Sequence, residues 1–510
     1  MSRSDLSAAS RYEKLASARS PFLARARSCA KLTIPSILPD EGTTGDADLP
    51  TPYQGMGARG VNNLASKMIY ALMPPNQPFF RLMLDDFAIQ QLTGQEGMRT
   101  EIEKTFGQIE RAVQTEIETT AIRVTAFEGF KHLLVTGNVL LYLMPEGGLK
   151  LFRLDRYVVK RDPMGAVSEV IVKEQVNPSD LPPAFVKKVG LRTDDTDTEV
   201  DIYTWVQRRG AYYEVHQEVK GEKVPGTSGR WPVDRPPFFA LRWAKIDGED
   251  YGRGHVEEYI GDLRSLEALT AAIVEGTAMS AKVVFLVNPN GVTQAHALAS
   301  APNGAFKSGV VDDIGVLQVG KYNDYRVALE TIARIEQRLA QAFLLTSSIQ
   351  RDAERVTAEE IRLMAKELED ALGGVYSILA QEFQLPLVRR LLLVMEQQDR
   401  LPPLPPHLVR PSIITGMEAL GRGHDLNRII LLAQTADQLL GPGSLAQYGD
   451  PLKVISRIGT AVSLDTADIL KTPEQIQAEQ LATQQAALIQ QIAPEVIKAA
   501  GQAQQQEQPQ

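Results

Sequence analysis

Residues 255–282 read HVEEYIGDLRSLEALTAAIVEGTAMSAK, and residues 323–346 read NDYRVALETIARIEQRLAQAFLLT. In the first, Val256, Tyr259, Leu263, Leu266, Leu269, Ile273 and Ala278 fall on one stripe; in the second, Tyr325, Leu329, Ile332, Ile335, Leu339 and Phe343 do the same. Steps of three and four predict amphipathic helices, with lengths of roughly 42 and 36 Å. Between them, residues 283–322 hold the β-prone run Val283–Val287, a Pro/Asn/Gly turn and a second apolar run, 309–320. Two long helices of similar length around a small β-containing insert predict a stalk with a compact head.

On the C-terminal side, residues 347–355 form a polar loop with two arginines, Arg351 and Arg355. Thr357-Ala-Glu-Glu360 then reads as a capping box that opens a third long helix towards Met395. Gly373, Gly374 and Pro386 lie inside it and predict a kink. Pro402, Pro403, Pro405 and Pro406 break the chain, residues 404–470 read as shorter helices, and the last forty residues, with 13 Gln, read as one helix and a disordered tail.

On the N-terminal side the periodicity is mixed. The first 34 residues carry Arg3, Arg11, Lys14, Arg19, Arg25, Arg27 and Lys31 on a loosely helical pattern, either a solvated basic face or a contact for a partner or DNA. Prolines 35, 39, 50 and 52 make an extended connector. Helical spacing returns over 61–73 and again over one long stretch, 97–137. Short β-rich runs follow at 139–144, 149–154, 157–160 and 167–176, and a hairpin is predicted from 200–206 and 211–219 through Arg209-Gly210. The fold class is therefore α+β with a predominantly helical second half.

At 510 residues the chain has length for about three domains. It carries 63 acidic against 54 basic residues, a net charge of −9, which excludes a generally basic nucleic-acid binder. A single cysteine, Cys29, excludes a disulfide framework and reads as a small buried hydrophobe. The opening residues do not read as a secretory leader, and the apolar stretch 133–144 is too short to span a bilayer, so a soluble protein of a reducing compartment is expected.

Catalytic patterns are weak. Gly55-Met-Gly-Ala-Arg-Gly60 matches G-x-G-x-x-G, but Pro50 and Pro52 precede it where a dinucleotide fold needs a strand, so it reads as a tight start to a packed helix. There is no P-loop, no His pair at helical spacing and no G-x-S-x-G. Acidic groups at Asp85-Asp86, 194–201 and Asp312-Asp313 read as solvated loops. No enzyme activity, metal or cofactor is expected.

Cys29-Ala-Lys-Leu-Thr-Ile-Pro35, Glu41-Gly-Thr-Thr-Gly45, Leu49-Pro-Thr-Pro-Tyr-Gln54 and Gly57-Ala-Arg-Gly-Val-Asn-Asn-Leu-Ala-Ser-Lys67 are long, unusual strings. With them the chain resembles the head-to-tail connector (portal) proteins of short-tailed double-stranded DNA bacteriophages. The order helix, β-insert, helix, Thr-Ala-Glu-Glu, kinked helix follows the same family, so the resemblance covers nearly the whole chain. It implies a wing at 1–254, stem helices at 255–282 and 323–346, a clip at 283–322, a tunnel loop and kinked tunnel helix at 347–398, a helical crown at 399–470 and a Gln-rich terminal segment at 471–510.

The resemblance also implies a dodecameric ring at one capsid vertex of the virion, assembled in the bacterial host cytoplasm, through which DNA is packaged and ejected. Its partners would be the large terminase subunit, major capsid and scaffolding proteins, a tail adaptor and internal core proteins, with no membrane. Gln350, Arg351 and Arg355 of the tunnel loop, with Lys282, Arg334 and Arg338 of the stem, are the candidate DNA-channel residues. Asn303, Phe306 and Lys307 of the clip are the candidate docking residues. Twelve copies at −9 give 12 × −9 = −108 formal charges, suited to a conduit that must not hold duplex tightly. Two other readings stand beside this one: a soluble nucleotide-binding enzyme using the Gly55–Gly60 turn, and another viral ring or tail component.

Overall fold

A computed structural model describes residues 7–75, 78–84, 98–191, 198–280, 284–317, 322–345, 371–402 and 409–413, with Thr435 and Gln438. The chain divides into two units, 1–416 and 417–510, and the elements below belong to the first.

Helix α1 (Ala8–Lys31) begins where the Ser7 hydroxyl accepts from the Ser10 N–H, and its Ala8 N–H donates to the Glu218 carboxylate at 2.7 Å. A negative group on the exposed N–H groups of a first turn is favourable. Ala8, Tyr12 and Leu15 pack on Val158, Ile171, Tyr203 and Trp205. The basic side chains of this helix are largely taken up inside the chain. Arg11 donates to Glu169 at 2.6 Å, Arg19 donates to the carbonyls of Leu154 and Tyr157, Arg25 pairs with Glu257 at 3.2 Å and Lys31 with Asp40 at 2.8 Å.

Helix α2 (Met56–Leu72) follows the connector, and strand β1 (Phe80–Leu84) follows α2. The stretch 97–137, which its spacing predicts as one helical run, is two helices, α3 (Met98–Thr119) and α4 (Ile122–Thr136). Ala121 breaks them at φ 53°. The turn of the following hairpin fills that corner: a Cβ on Gly147 would lie 2.9 Å from Cγ2 of Thr120.

Strands β2 (Asn138–Leu143) and β3 (Leu149–Phe152) form the antiparallel three-stranded sheet β10-β2-β3, with Leu140 opposite Phe152 and Ala240. Strands β4 (Tyr157–Arg161), β5 (Val167–Val176), β6 (Val200–Arg209), β7 (Tyr212–Val219) and β8 (Glu222–Lys223) make the larger antiparallel sheet in that order, with β9 (Gly229–Pro232) pairing β7. The predicted β6–β7 hairpin forms with Arg209 opposite Tyr212. Helix α5 (Pro183–Val189) covers the far end of this sheet, and β10 (Phe238–Arg242) returns to β2.

The stretch 255–282, which its spacing predicts as one helix, contains two, α6 (His255–Glu258) and α7 (Ile260–Ser280), with Tyr259 at φ −108°, ψ 11° between them. Its ring lies against those of His255 and Phe343. The insert contains β11 (Val284–Val287) paired with β12 (Ile314–Leu317), Val284 opposite Leu317, with a short α-helix, α8 (Ala295–Ala299), and a 3-10 turn at Val311–Asp313. Helix α9 (Tyr322–Ala342) returns from it.

The third long helix is helical at 371–379, passes through a π-helical segment at Ala380–Gln384 and continues as α10 (Leu385–Gln397). Pro386 lacks the N–H that an α-helical ladder needs there, and the wider π turn absorbs that loss without ending the helix. Gly373 and Gly374 lie in regular helix. Residues 409–413, which the sequence places in a helical crown, form strand β13 (Val409–Ile413), antiparallel to β1 with Phe80 opposite Ile413. The run Val-Arg-Pro-Ser-Ile has no helical period, and its partner β1 lies more than 300 residues earlier in the chain, beyond the reach of local reasoning.

Candidate functional site

The two predicted stem helices pack antiparallel, and three contacts mark their length. At the end away from the insert the His255 ring nitrogen Nε2 lies 3.0 Å from the Ala342 carbonyl; further along Arg338 donates to Asp262 at 2.7 Å; towards the insert Gly276 lies against Tyr325, whose hydroxyl a Cβ would meet at 2.3 Å. Leu263, Leu266, Ile335, Leu339 and Phe343 fill the seam at the end away from the insert. Burial keeps the His255 imidazole below its ordinary range, so a neutral ring donates its Nε2–H to the Ala342 carbonyl among Trp243, Tyr259 and Phe343.

The long strings read from the sequence converge on this seam. Gln54, itself buried, donates to the Leu32 carbonyl at 2.6 Å and accepts from the Gly57 N–H at 2.9 Å, so one amide ties the end of α1 to the start of α2. The Tyr53 and Gln54 N–H groups donate to the two oxygens of Glu267 on α7, at 2.9 and 3.2 Å. Gly60 lets the ring of Phe343 approach α2, where a Cβ would lie 2.5 Å from Cγ. One turn on, Asn63 donates to the carbonyls of Phe343 and Leu344, and Lys67 to that of Leu344 at 2.8 Å. These are the unsatisfied carbonyls at the C-terminus of α9, where a positive group is favourable. Sequence reasoning gives Glu267, Asn63 and Lys67 no individual role; for Asn63 and Lys67 the signal was the string that contains them, read as a signature and not as a set of donors.

The same contacts decide the glycine-rich turn. Gly57 lies against the Leu32 carbonyl and Gly60 against Phe343, so the chain itself occupies the space a pyrophosphate needs. Among the described residues no group of three His, Cys, Asp or Glu is placed to hold a metal, and no helix is long and apolar enough to cross a membrane.

In the insert, Asp313 is the organiser. Its carboxylate accepts from the N–H and hydroxyl of Thr293 at 3.1 and 2.9 Å, and its carbonyl accepts from the Asn288 N–H at 2.8 Å. Asp313, read from the sequence as solvated, therefore has a structural role, while Asp312 is exposed. Asn303, Phe306 and Lys307 are all exposed, and Phe306 shows its whole ring, with Val292 and Val311 also open at 77% and 87%. Of the channel candidates, Arg334 and Arg338 are exposed on α9, whereas Lys282, Gln350, Arg351 and Arg355 lie outside the described residues.

The family model described as bacteriophage head to tail connecting protein matches residues 6–470. The chain is 43% identical over 479 residues to the portal protein of Escherichia phage T7, covering 91% of this chain and 88% of that one. It is equally similar, at 43% over 479 residues and 92% and 88% coverage, to the portal protein of Enterobacteria phage T3. The portal protein of Pseudomonas phage phiKMV is 31% identical over 485 residues, covering 93% and 94%.

Proposed function

The chain belongs to the bacteriophage head to tail connecting protein family, and from that premise we propose that it forms the portal ring at one capsid vertex, the channel for DNA packaging and ejection. One observation carries the reading. From Glu267 to Arg334, across most of α7, the whole insert and half of α9, Thr293 is the only buried residue whose side chain is described. Val274, Met279, Leu286, Phe306, Val311, Val327 and Leu329 are open to solvent in a single copy. An apolar surface of that extent on a hairpin fits a chain whose burial is completed by its neighbours.

In this reading the ring is a dodecamer. The exposed apolar side chains of the insert, Phe306 above all, with Asn303 and Lys307, receive the large terminase subunit during packaging and a tail adaptor afterwards. The α+β half meets the capsid and scaffolding proteins, and the C-terminal segment meets internal core proteins. Arg351 and Arg355, with Gln350 and Lys282, contact passing DNA. Two arginines per copy give 24 positive charges in a net-negative ring, and each phosphate contact is weak in water and falls with salt.

Native mass spectrometry and projection imaging of the purified chain test the assembly: a closed ring near 673 kDa, twelve times 56.1 kDa, is expected. A monomer or small oligomer under all ionic conditions would overturn it. For the channel, Arg351→Ala with Arg355→Ala is expected to leave rings intact and alter packaging or retention of DNA in an in vitro assay, and wild-type behaviour across a salt series rejects that role.

A further inference from the structure

Helix α9 has two exposed flanks beside the row that faces α7. Tyr325, Ala328, Ile332, Ile335 and Leu339 form its row towards α7, with Ile335 and Leu339 buried and Tyr325 against Gly276. Each helical residue turns the chain by about 100°. The residues one position before that row, Val327, Thr331, Arg334 and Arg338, therefore share one flank. Those one position after it, Arg326, Leu329, Ala333 and Glu336, share the other. All eight are exposed, with Val327 at 62% and Leu329 at 55%. Arg338 is held by Asp262, while among the described residues neither Arg334 nor Glu336 has an ion-pair partner in the chain.

We propose that these flanks are the two halves of one head-to-tail contact between copies: the Val327–Arg334 flank of one copy meets the Leu329–Glu336 flank of the next. The contact rests on the ring reading and names its surface. Copies related by rotation present different faces to each other, so the two faces must be complementary and not identical. Here Arg334 on one flank and Glu336 on the other are of opposite charge, and each flank carries one large apolar side chain. On both flanks the apolar residue precedes the charged one by seven positions, two helical turns. Two neighbouring α9 helices running parallel, offset by two residues or about 3 Å along the axis, bring Val327 onto Leu329 and Arg334 onto Glu336 together. One offset satisfies both pairs. Arg334, a channel candidate from sequence, is then committed to the neighbouring copy and not to DNA.

The test is a charge exchange in the full chain, read by sedimentation velocity and native mass spectrometry, with circular dichroism to follow the fold. Arg334→Glu and Glu336→Arg each place like charges across every contact of the ring, and each is expected to raise the concentration needed for half-assembly about tenfold or more. The double variant is expected to restore assembly to the wild-type range. Single variants that assemble as wild type, or a double variant no better than the singles, overturn the contact. A second measurement is independent of charge: Val327→Cys with Leu329→Cys is expected to give, on oxidation, a ladder of covalent multimers, and monomer alone overturns it. Failure of the unmodified chain to close into a ring counts against the ring reading itself, and closed rings with unaffected single variants count against this contact only.

Discussion

Gly60 and Phe343, 283 residues apart, touch so closely that a methyl group on the glycine would lie 2.5 Å from Cγ of the ring. The contact fixes where the second stem helix ends. Phe343 is fully buried there, edge-on to His255 and beside Tyr259, so helices α2, α6 and α9 meet on one ring. Gly60 sits inside α2 with ordinary helical dihedrals; it is a glycine for space and not for backbone freedom.

Gly60→Ala is accordingly expected to destabilise the chain by about 1–3 kcal/mol, the usual range for overpacking a filled core. Phe343→Leu alone leaves a smaller void, and the pair of substitutions is expected to recover part of the Gly60→Ala loss. Urea unfolding at matched protein concentration measures all three. A Gly60→Ala chain as stable as wild type would show that α2 and α9 can move apart at no cost.

The two helices and the β-containing insert between them were legible in the sequence because two local signals agreed: the three-four stripe on either side, and a β-prone run broken by a Pro-Asn-Gly turn. The β6–β7 hairpin was legible for the same reason. What escaped was what distance conceals. Strand β13 pairs with β1 from the other end of the chain, and its five residues alternate too briefly to declare a strand. The basic residues of α1 looked free because their partners, Glu169 and Glu257, lie far along the chain. At the candidate site, Phe306 was named only through the family resemblance, and the capping role of Asn63 and Lys67 depends on where α9 ends in space.

Cys29 is buried at the end of α1, and burial pushes its thiol up to about 12. The thiolate is the reactive species, so little of it is present at pH 8 in the folded chain. Alkylation by iodoacetamide at pH 8 is expected to be slow in the native protein and fast in urea. Rapid native labelling would contradict the burial of this helix end.

His132 on α4 is buried with its Nδ1 unpartnered among the described atoms, and burial, with Arg153 and Lys131 nearby, pulls its pKa down to about 4. The unfolded value lies near 6.5, so the unfolded chain binds the extra proton between these limits. The stability that His132 contributes as a neutral ring is therefore complete above about pH 6.5 and is lost as the pH falls towards 4, by about 3 kcal/mol in all. His132→Leu, which stays uncharged, is expected to flatten the unfolding free energy over that window. An unchanged slope between pH 6.5 and 4 would mean that other groups set the acid response.

Glu382 lies in the π-helical segment and accepts from Arg242 of β10 at 2.6 Å, and Arg242 is 2% exposed. Arg161 of β4 lies in the same buried cluster, where burial first and the neighbouring Arg242 second pull its pKa down to about 10. Arg161 donates to the carbonyls of Asp250, Gly165 and Ala240, while Arg242 donates to the Glu382 carboxylate between the sheets and the third long helix. Glu382→Ala leaves Arg242 charged, buried and facing Arg161, and is expected to cost about 3 kcal/mol. Glu382→Gln keeps an acceptor oxygen in place and is expected to cost less. The same substitution should act locally, because the carboxylate is what draws the π segment to β10. Hydrogen exchange in Glu382→Ala is therefore expected to rise in residues 376–388 and in β10 before it rises in the β5–β6–β7 sheet. Uniform change across the chain, or none, would show that the pair is incidental to the packing of this helix.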